Sequence, residues 1–200
     1  ETAENGGGRI IEGYAIVFGV ESRMIVDYWD DYREIIESGA ITEEELAGMD
    51  IKMTLWHNRE RLLARSNKGV GTLKLKVDEI GVKYEFEAPN TPDGNTAIEL
   101  VKRGDLAGSS FTYWTDEAHN VNYEKGEDEV LVRHVNKIGM VMEMTIASDP
   151  AYTQTSVTAR EIESSGIHII EEEPKTEDDL KKREENIERV RRMSRTRFFK

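Results

Sequence analysis

Two adjacent serines, Ser109 and Ser110, are the side chains that the sequence places best to act as a nucleophile. They follow Gly108 and precede a run of β-forming residues at 111–114, so the segment is predicted to begin a strand. Strand alternation places the two serines on opposite faces. A hydroxyl on a rigid strand can attack a substrate if a base reaches it. Serines at strand starts also commonly cap or turn the chain, so this stretch alone leaves both interpretations open.

A histidine and a carboxylate that could complete a hydrolytic set lie elsewhere in the chain. His57 ends a predicted strand at 51–57, and Glu143 lies inside the apolar run 140–146. A carboxylate in such a run is costly to bury unless a cation or a histidine accompanies it. In a set of this kind the serine attacks, the histidine takes its proton, and the acid fixes the imidazole tautomer. Spacing alone does not show that the three residues meet.

The composition argues against several other chemistries. The chain has no cysteine, which excludes disulfides, thiolate catalysis and thiolate zinc sites. Its four histidines do not pair at metal-binding spacing, so we expect no metal and no cofactor. A net charge of −13 makes it a poor general partner for nucleic acid. No apolar run approaches the roughly 18 residues of a membrane span, and the first residues do not resemble a signal peptide.

The sequence predicts a mainly β chain with flanking helices, of the α+β class. The clearest element is a β-hairpin, since 71–77 and 82–88 both alternate with period two. A helix is predicted to start at Thr42, and a second covers 96–103. The other predicted strands are 9–20, 51–57, 130–135 and 138–147. The segments 59–67 and 120–129 are predicted to be loops, and 32–39 is a short amphipathic piece closed by a glycine.

The organisation along the chain is one domain with two extensions. Residues 1–8 are polar and glycine-rich and are predicted to be disordered. Residues 9–160 form the β domain, and 161–200 are predicted to be a charged, partly helical tail.

Six sequence blocks, taken in order, resemble those of tailed-phage prohead proteases, the enzymes of capsid maturation. The blocks are Gly13-Tyr-Ala-Ile-Val-Phe18, Tyr32-Arg-Glu-Ile-Ile-Glu-Ser-Gly-Ala40, Leu55-Trp-His-Asn58 with Leu63-Ala-Arg65, the hairpin from Gly71 to Gly81, Gly104-Asp-Leu-Ala-Gly-Ser-Ser-Phe111, and Met142-Glu-Met-Thr145 with Asp149-Pro-Ala-Tyr152. Ala64, Thr112 and Tyr113 stand where the family usually has Gly, Gly and Phe.

The resemblance implies a fold and a set of catalytic residues. The fold is that of the herpesvirus assemblins, a small β-barrel surrounded by helices, here as a protease domain. Carried over to this sequence, Ser110 is the nucleophile and His57 the base. Glu143 is the third member favoured by the match, with His134 and then Asp149 as alternatives.

The function implied is that of a serine endopeptidase without a cofactor. It would cleave the scaffold, or a scaffold-like segment of the capsid protein, and itself, inside the immature head in the host cytoplasm. The implied partners are the major capsid protein and scaffold polypeptides. The sequence leaves open whether the chain forms a homo-oligomer. Backbone N–H groups of 59–65 are candidates for the oxyanion hole.

Two non-enzymatic alternatives also fit the sequence. One is a capsid scaffold or assembly protein whose β domain only binds. The other is an unrelated β-barrel binding module in which Ser110 is merely a strand residue. A serine-reactive probe separates the enzyme from both.

Removal of the tail is expected to leave the melting temperature of the domain almost unchanged. In the charged middle of the tail, 171–190, the regular apolar positions are Leu180, Ile187 and Val190, which can bury too little area to stabilise the core. Calorimetry of the full chain and of a chain ending at Arg160 measures this. A large drop would show that the tail packs on the domain or holds an oligomer together.

Overall fold

A computed structural model of the chain describes residues 9–26, 31–126 and 128–160. The segments 1–8 and 161–200 lie outside the described residues, so the predictions made for them stay predictions. The strands are β1 (Ile10–Val17), β2 (Ile25–Val26), β3 (Asp31–Ile36), β4 (Asp50–Leu55), β5 (Asn58–Asn67), β6 (Val70–Gly71), β7 (Leu73–Val77), β8 (Gly81–Glu87), β9 (Gly108–Trp114), β10 (Val121–Lys125), β11 (Leu131–Val135), β12 (Met140–Ala147) and β13 (Ser156–Arg160). The helices are α1 (Glu43–Ala47), α2 (Pro92–Arg103) and α3 (Glu117–Asn120).

The described strands form three hydrogen-bonded sheets. Their strand orders are β13-β1-β8-β7, β10-β11-β3-β2 and β6-β5-β4-β12-β9. Neighbours are antiparallel except in two parallel pairs, β3 with β11 and β4 with β12. The predicted hairpin is confirmed as β7 and β8, which pair in register from Leu73 to Val77. The mainly β class with few helices is confirmed as well.

The third sheet carries all three residues of the favoured catalytic set. β4 ends two residues before His57, β9 contains Ser110, and β12 contains Glu143. β12 lies between the other two, parallel to β4 and antiparallel to β9. Three segments that are distant in sequence therefore become neighbours in one sheet.

Two segments predicted as loops are strands instead. The segment 59–67 belongs to β5. Its exposed positions include Arg65, and the guanidinium of this residue pairs with the carboxylate of Asp50 in β4 at 2.6 Å. Half of the segment 120–129 is β10, in which Val121 alone of the strand's residues is buried. Neither strand shows hydrophobic alternation, because main-chain pairing with a neighbour defines it and its side chains largely face solvent. The amphipathic piece 32–39 is also a strand, β3, up to Ile36.

The core is one cluster to which all three sheets and α2 contribute. α2 begins at Pro92, four residues earlier than predicted, because the hydroxyl of Thr91 caps it and proline suits the first turn. The helix ends at Arg103 and is capped by Gly104, whose left-handed φ of 79° favours glycine. Its inner face contributes Ala97, Ile98 and Val101 to the core.

His134, the first alternative to Glu143 in the catalytic set, lies in the second sheet and contacts two carboxylates there. Its Nδ1 lies 2.7 Å from the carboxylate of Glu37, and its ring also contacts Glu124 of β10 at 3.1 Å. Burial lowers the pKa of His134, but the two carboxylates outweigh that effect and raise the pKa overall. The imidazolium form is therefore stabilised by folding.

The contribution of His134 to stability is expected to depend on pH. Because its pKa is raised in the folded state, the contribution is complete below the unfolded pKa of about 6.5 and is lost as pH rises through the folded pKa. Denaturant unfolding of the wild type and of His134→Gln, from acidic to alkaline pH, should show a difference that shrinks as pH rises. His119→Gln is the control, since His119 pairs with Asp116 on the exposed surface. A His134 difference that stays constant with pH would contradict the assignment.

Candidate active site

His57 occupies a strained two-residue turn between β4 and β5. Leu55 pairs with Asn58, so Trp56 and His57 form the loop of the hairpin. Their φ angles are 57° and 55°, the left-handed values of a type I′ turn. Such turns favour Asn-Gly, and each larger residue in this conformation costs about 1–3 kcal/mol. The surrounding structure must supply a comparable stabilisation.

Contacts with β12 and β5 hold the turn in place. The N–H of Trp56 donates to the carbonyl of Ile146 at 3.1 Å, and the N–H of His57 donates to Thr145 Oγ1 at 2.9 Å. The guanidinium of Arg61 lies 4.6 Å from the centre of the Trp56 ring. At about 1 kcal/mol each, the two hydrogen bonds offset only the lower end of the cost of two left-handed residues, and the guanidinium over the Trp56 ring adds to them. The position of His57 therefore depends on β12.

A β-bulge in β12 directs Glu143 away from the apolar core. Between β9 and β12 the register shifts from Val141 to Glu143, so Met142 is an additional residue. Val141 and Met144 are both fully buried in the core, although they are three positions apart. An uninterrupted strand would place them on opposite faces, so the bulge brings both inward and turns Glu143 to the other face.

The carboxylate of Glu143 meets the ring of His57. Its Oε1 lies 3.2 Å from His57 Nδ1 and accepts a hydrogen bond of 2.9 Å from Thr54 Oγ1. A longer contact of 3.4 Å joins its other oxygen, Oε2, to Arg59 Nε. The Glu143 side chain is only 4% exposed, whereas His57 is 43% exposed. A buried carboxylate thus faces one ring nitrogen, while the imidazole remains open to solvent.

Ser110 lies on the strand next to Glu143. In the register between β9 and β12 it is the direct partner of Thr145, the residue whose hydroxyl accepts the N–H of His57. Directly opposed side chains share a sheet face, with Cβ atoms about 4.5–5.5 Å apart. Within the described chain no hydrogen bond joins the Ser110 hydroxyl to the His57 ring. Their hydrogen-bond contact therefore stays a prediction, and such bonds are often loose without substrate.

The neighbouring Ser109 is fully buried. Its hydroxyl lies 2.7 Å from Tyr84 Oη, and its N–H donates to Thr155 Oγ1 at 3.0 Å. Gly108, just before it, packs so closely on Pro150 that a Cβ would lie 2.4 Å from the proline ring. These contacts fix the start of β9 and leave Ser110 as the accessible serine of the pair.

The other candidate residues lie away from this constellation. His134 is in the second sheet and bonds to Glu37, and Asp149 pairs with Arg23 on the surface. His119 pairs with Asp116 beside α3, and His168 lies outside the described residues. Of the three acids and bases considered for the third position, Glu143 is the one that the structure places next to His57.

A groove follows the edge of β9 that does not pair with β12. It encloses a cavity of about 270 Å³. Its lining residues are Ile25, Tyr32, Glu34, Ser110, Phe111, Thr112, Tyr113, Arg133, Ala151 and Tyr152. Four consecutive residues of β9 line it although their side chains alternate between faces, so the groove runs along the strand edge.

A buried polar cluster lines the groove, and no sequence pattern predicts it. The carboxylate of Glu34 accepts hydrogen bonds from Tyr113 Oη at 2.6 Å and Tyr152 Oη at 2.7 Å, and it pairs with Arg133. Burial, and then the charge of Glu34, raise the pKa of both tyrosines, so their hydroxyls stay protonated as donors. Arg133 also pairs with Glu117. Glu34 and Arg133 stand in ordinary strand sequences, where nothing distinguishes them from surface charges.

Other kinds of site are not seen in the described part of the chain. No group of three or more His, Asp or Glu side chains there could hold a metal ion. No helix among the described residues is long and apolar enough to cross a membrane.

Comparison with known sequences identifies the family. A model of the caudovirus prohead serine protease family matches residues 1–167. The chain belongs to this family. The resemblance drawn from the six sequence blocks is thereby confirmed. This prohead protease is accordingly a serine peptidase of capsid maturation, which works within the capsid and with capsid and scaffold proteins.

Two solved structures of the Kaposi's sarcoma-associated herpesvirus protease are similar to the prohead protease. One, in complex with an allosteric inhibitor, has a TM-score of 0.39 and 9% identity over 77% of this chain and 76% of that chain. The other, in complex with a hexapeptide phosphonate inhibitor, has a TM-score of 0.40 and 12% identity over 78% and 66%. Similarity at this level assigns no residue. No curated protein matches the chain.

Replacement of Arg133 is expected to destabilise the protease strongly. Arg133→Met removes the cation from the buried carboxylate of Glu34, and breaking a buried pair costs about 3–5 kcal/mol. Urea unfolding measures the change. Lys125→Met removes the exposed pair with Glu129 and serves as the matched control, with a small loss. Equal losses in the two variants would show that Glu34 does not depend on Arg133.

Proposed function

We propose that Ser110 is the nucleophile of this protease, His57 its general base and Glu143 the residue that orients the imidazole. The contact of 3.2 Å between His57 Nδ1 and the buried Glu143 carboxylate carries the assignment. It is supported by the register that pairs Ser110 with Thr145, next to the His57 main chain.

The proposed reaction follows from these positions. Glu143 keeps the proton of the imidazole on Nδ1, so Nε2 can accept the proton of the Ser110 hydroxyl. Ser110 Oγ attacks the peptide carbonyl, and the imidazolium then protonates the departing amine. Water, activated by the same imidazole, releases the acyl group and restores the serine. His57 is exposed enough to meet both the amine and the water.

The free edge of β9 is the proposed binding site for the substrate main chain. Both main-chain groups of Ser109 bond to the hydroxyl of Thr155, so they point away from β12. Two residues further on, the N–H and C=O of Phe111 point to the same side, into the groove. An extended peptide can add to this edge as a strand, with its scissile bond beside Ser110. The N–H of Phe111 then becomes a candidate oxyanion donor together with the previously considered region 59–65.

The proposed substrate is the scaffold, or a scaffold-like segment of the capsid protein, together with the protease chain itself. The place of action is the immature head in the host cytoplasm. These finer assignments rest on the family, in which proteolysis accompanies head maturation.

Substitution of the three residues tests the proposed roles. Ser110→Ala is expected to abolish cleavage of a scaffold-derived peptide and labelling by a fluorophosphonate probe. Glu143→Gln should keep the fold but lower kcat on the order of 10³–10⁴-fold, since an amide favours the wrong tautomer. Cleavage is measured by mass spectrometry, with circular dichroism as the control for folding. A folded Glu143→Gln protein with full activity would remove Glu143 from the mechanism.

The alternative third members provide the matched controls. His134→Ala and Asp149→Asn should leave kcat within a few-fold of the wild type, because His134 bonds to Glu37 and Asp149 pairs with Arg23. A loss confined to folded His134→Ala would transfer the orienting role to His134. Absence of both labelling and cleavage in the wild type would instead favour a scaffold or binding protein.

A further inference from the structure

Thr145 lies at the centre of the candidate site, and its hydroxyl bonds only to main-chain atoms among the described residues. It is fully buried, accepts the N–H of His57 at 2.9 Å, and can donate to the carbonyl of Thr54 at 3.1 Å or, less favourably, of Ile146 at 3.4 Å. The side chain therefore joins the end of β4, the turn that follows it, and β12. The proposed mechanism does not use it.

The bond between Thr145 and His57 occurs at a residue whose backbone conformation is strained. His57 has a φ of 55°, which a non-glycine residue keeps only when its surroundings hold it there. In a two-residue turn of this type the second central N–H has no partner within the hairpin. Thr145 provides that partner from another strand, and the same residue faces Ser110 across the sheet.

We propose that Thr145 is a positioning residue for the protease reaction, whose hydroxyl holds the His57 main chain so that the imidazole reaches both Glu143 and Ser110. The proposal rests on the proposed roles of these residues. Packing alone does not explain Thr145, because valine would fill the same buried space. Valine would, however, leave the N–H of His57 without its acceptor, and the turn could relax toward an unstrained conformation that moves the ring.

Thr145→Val is the direct test, with Thr145→Ser as the conservative variant that restores the hydroxyl. We expect Thr145→Val to lower kcat roughly 10- to 100-fold, the effect of a small displacement of a catalytic group. KM should change little, since the β9 edge that would bind the peptide lies on the opposite side of β9 from β12. Thr145→Ser should recover most of kcat. Wild-type kcat in folded Thr145→Val would overturn the proposal.

Thr115→Val is the matched control for the loss of a buried hydroxyl. Thr115 is also buried and donates to the carbonyl of Lys137, beyond the far end of β9. Its replacement should lower the melting temperature by a few degrees, as Thr145→Val does, without lowering kcat. Equal losses of kcat in the two variants would show a general effect of destabilisation and overturn the specific role.

Two measurements do not depend on turnover. Amide hydrogen exchange of His57 in the wild type should be slow, although its side chain is partly exposed, and fast exchange would contradict the bond to Thr145. The ¹⁵N signals of the His57 ring should shift in Thr145→Val and return in Thr145→Ser. If the wild type does not cleave any substrate, the proposed function fails. The ring signals then still show whether the Thr145 hydroxyl positions the His57 ring. Unchanged ring signals in a folded Thr145→Val protein would overturn that role.

Discussion

The candidate site depends on the burial of one carboxylate, that of Glu143. A charged group taken out of water loses several kcal/mol of solvation, which its surroundings must return through hydrogen bonds and opposite charge. Thr54 donates to it, Arg59 approaches it from the solvent side, and the His57 ring completes its contacts. The contact between Glu143 and the His57 ring therefore contributes both to the stability of the buried carboxylate and to the position of the imidazole.

Strand order makes this arrangement possible. β12 separates the strand that leads to His57 from the strand that holds Ser110, and it contributes Glu143 and Thr145 from one face. The bulge at Met142 is what allows that face to be polar while Val141 and Met144 remain in the core. A one-residue change in register would exchange the two faces and bury the wrong side chains. The position of the site thus follows from the same pairing that builds the core.

Much of this was predictable from the sequence, and the exceptions share a cause. Period-two alternation correctly predicted the hairpin of β7 and β8, and the β-forming run after Ser110 predicted β9. β5 and β10 were missed because they are strands through pairing with neighbours and carry mostly exposed side chains. The cluster of Glu34 and Arg133 was missed because its partners come from distant strands. Local pattern predicts local structure, whereas these features arise from contacts between remote segments.

The turn that carries His57 shows that contacts between remote segments can also override a local sequence preference. Trp-His is a poor sequence for a two-residue hairpin, and local propensity argues against a left-handed conformation at either residue. The conformation persists because Ile146 accepts the N–H of Trp56 and Thr145 accepts the N–H of His57. In addition, the guanidinium of Arg61, which pairs with Asp93 of α2, covers the Trp56 ring. Such local disagreement with sequence preference is expected where a chain holds a functional group in one geometry. The strain of the turn and the exposure of the imidazole are then two consequences of one geometry, in which His57 projects from the sheet toward solvent while its Nδ1 reaches the buried carboxylate of Glu143.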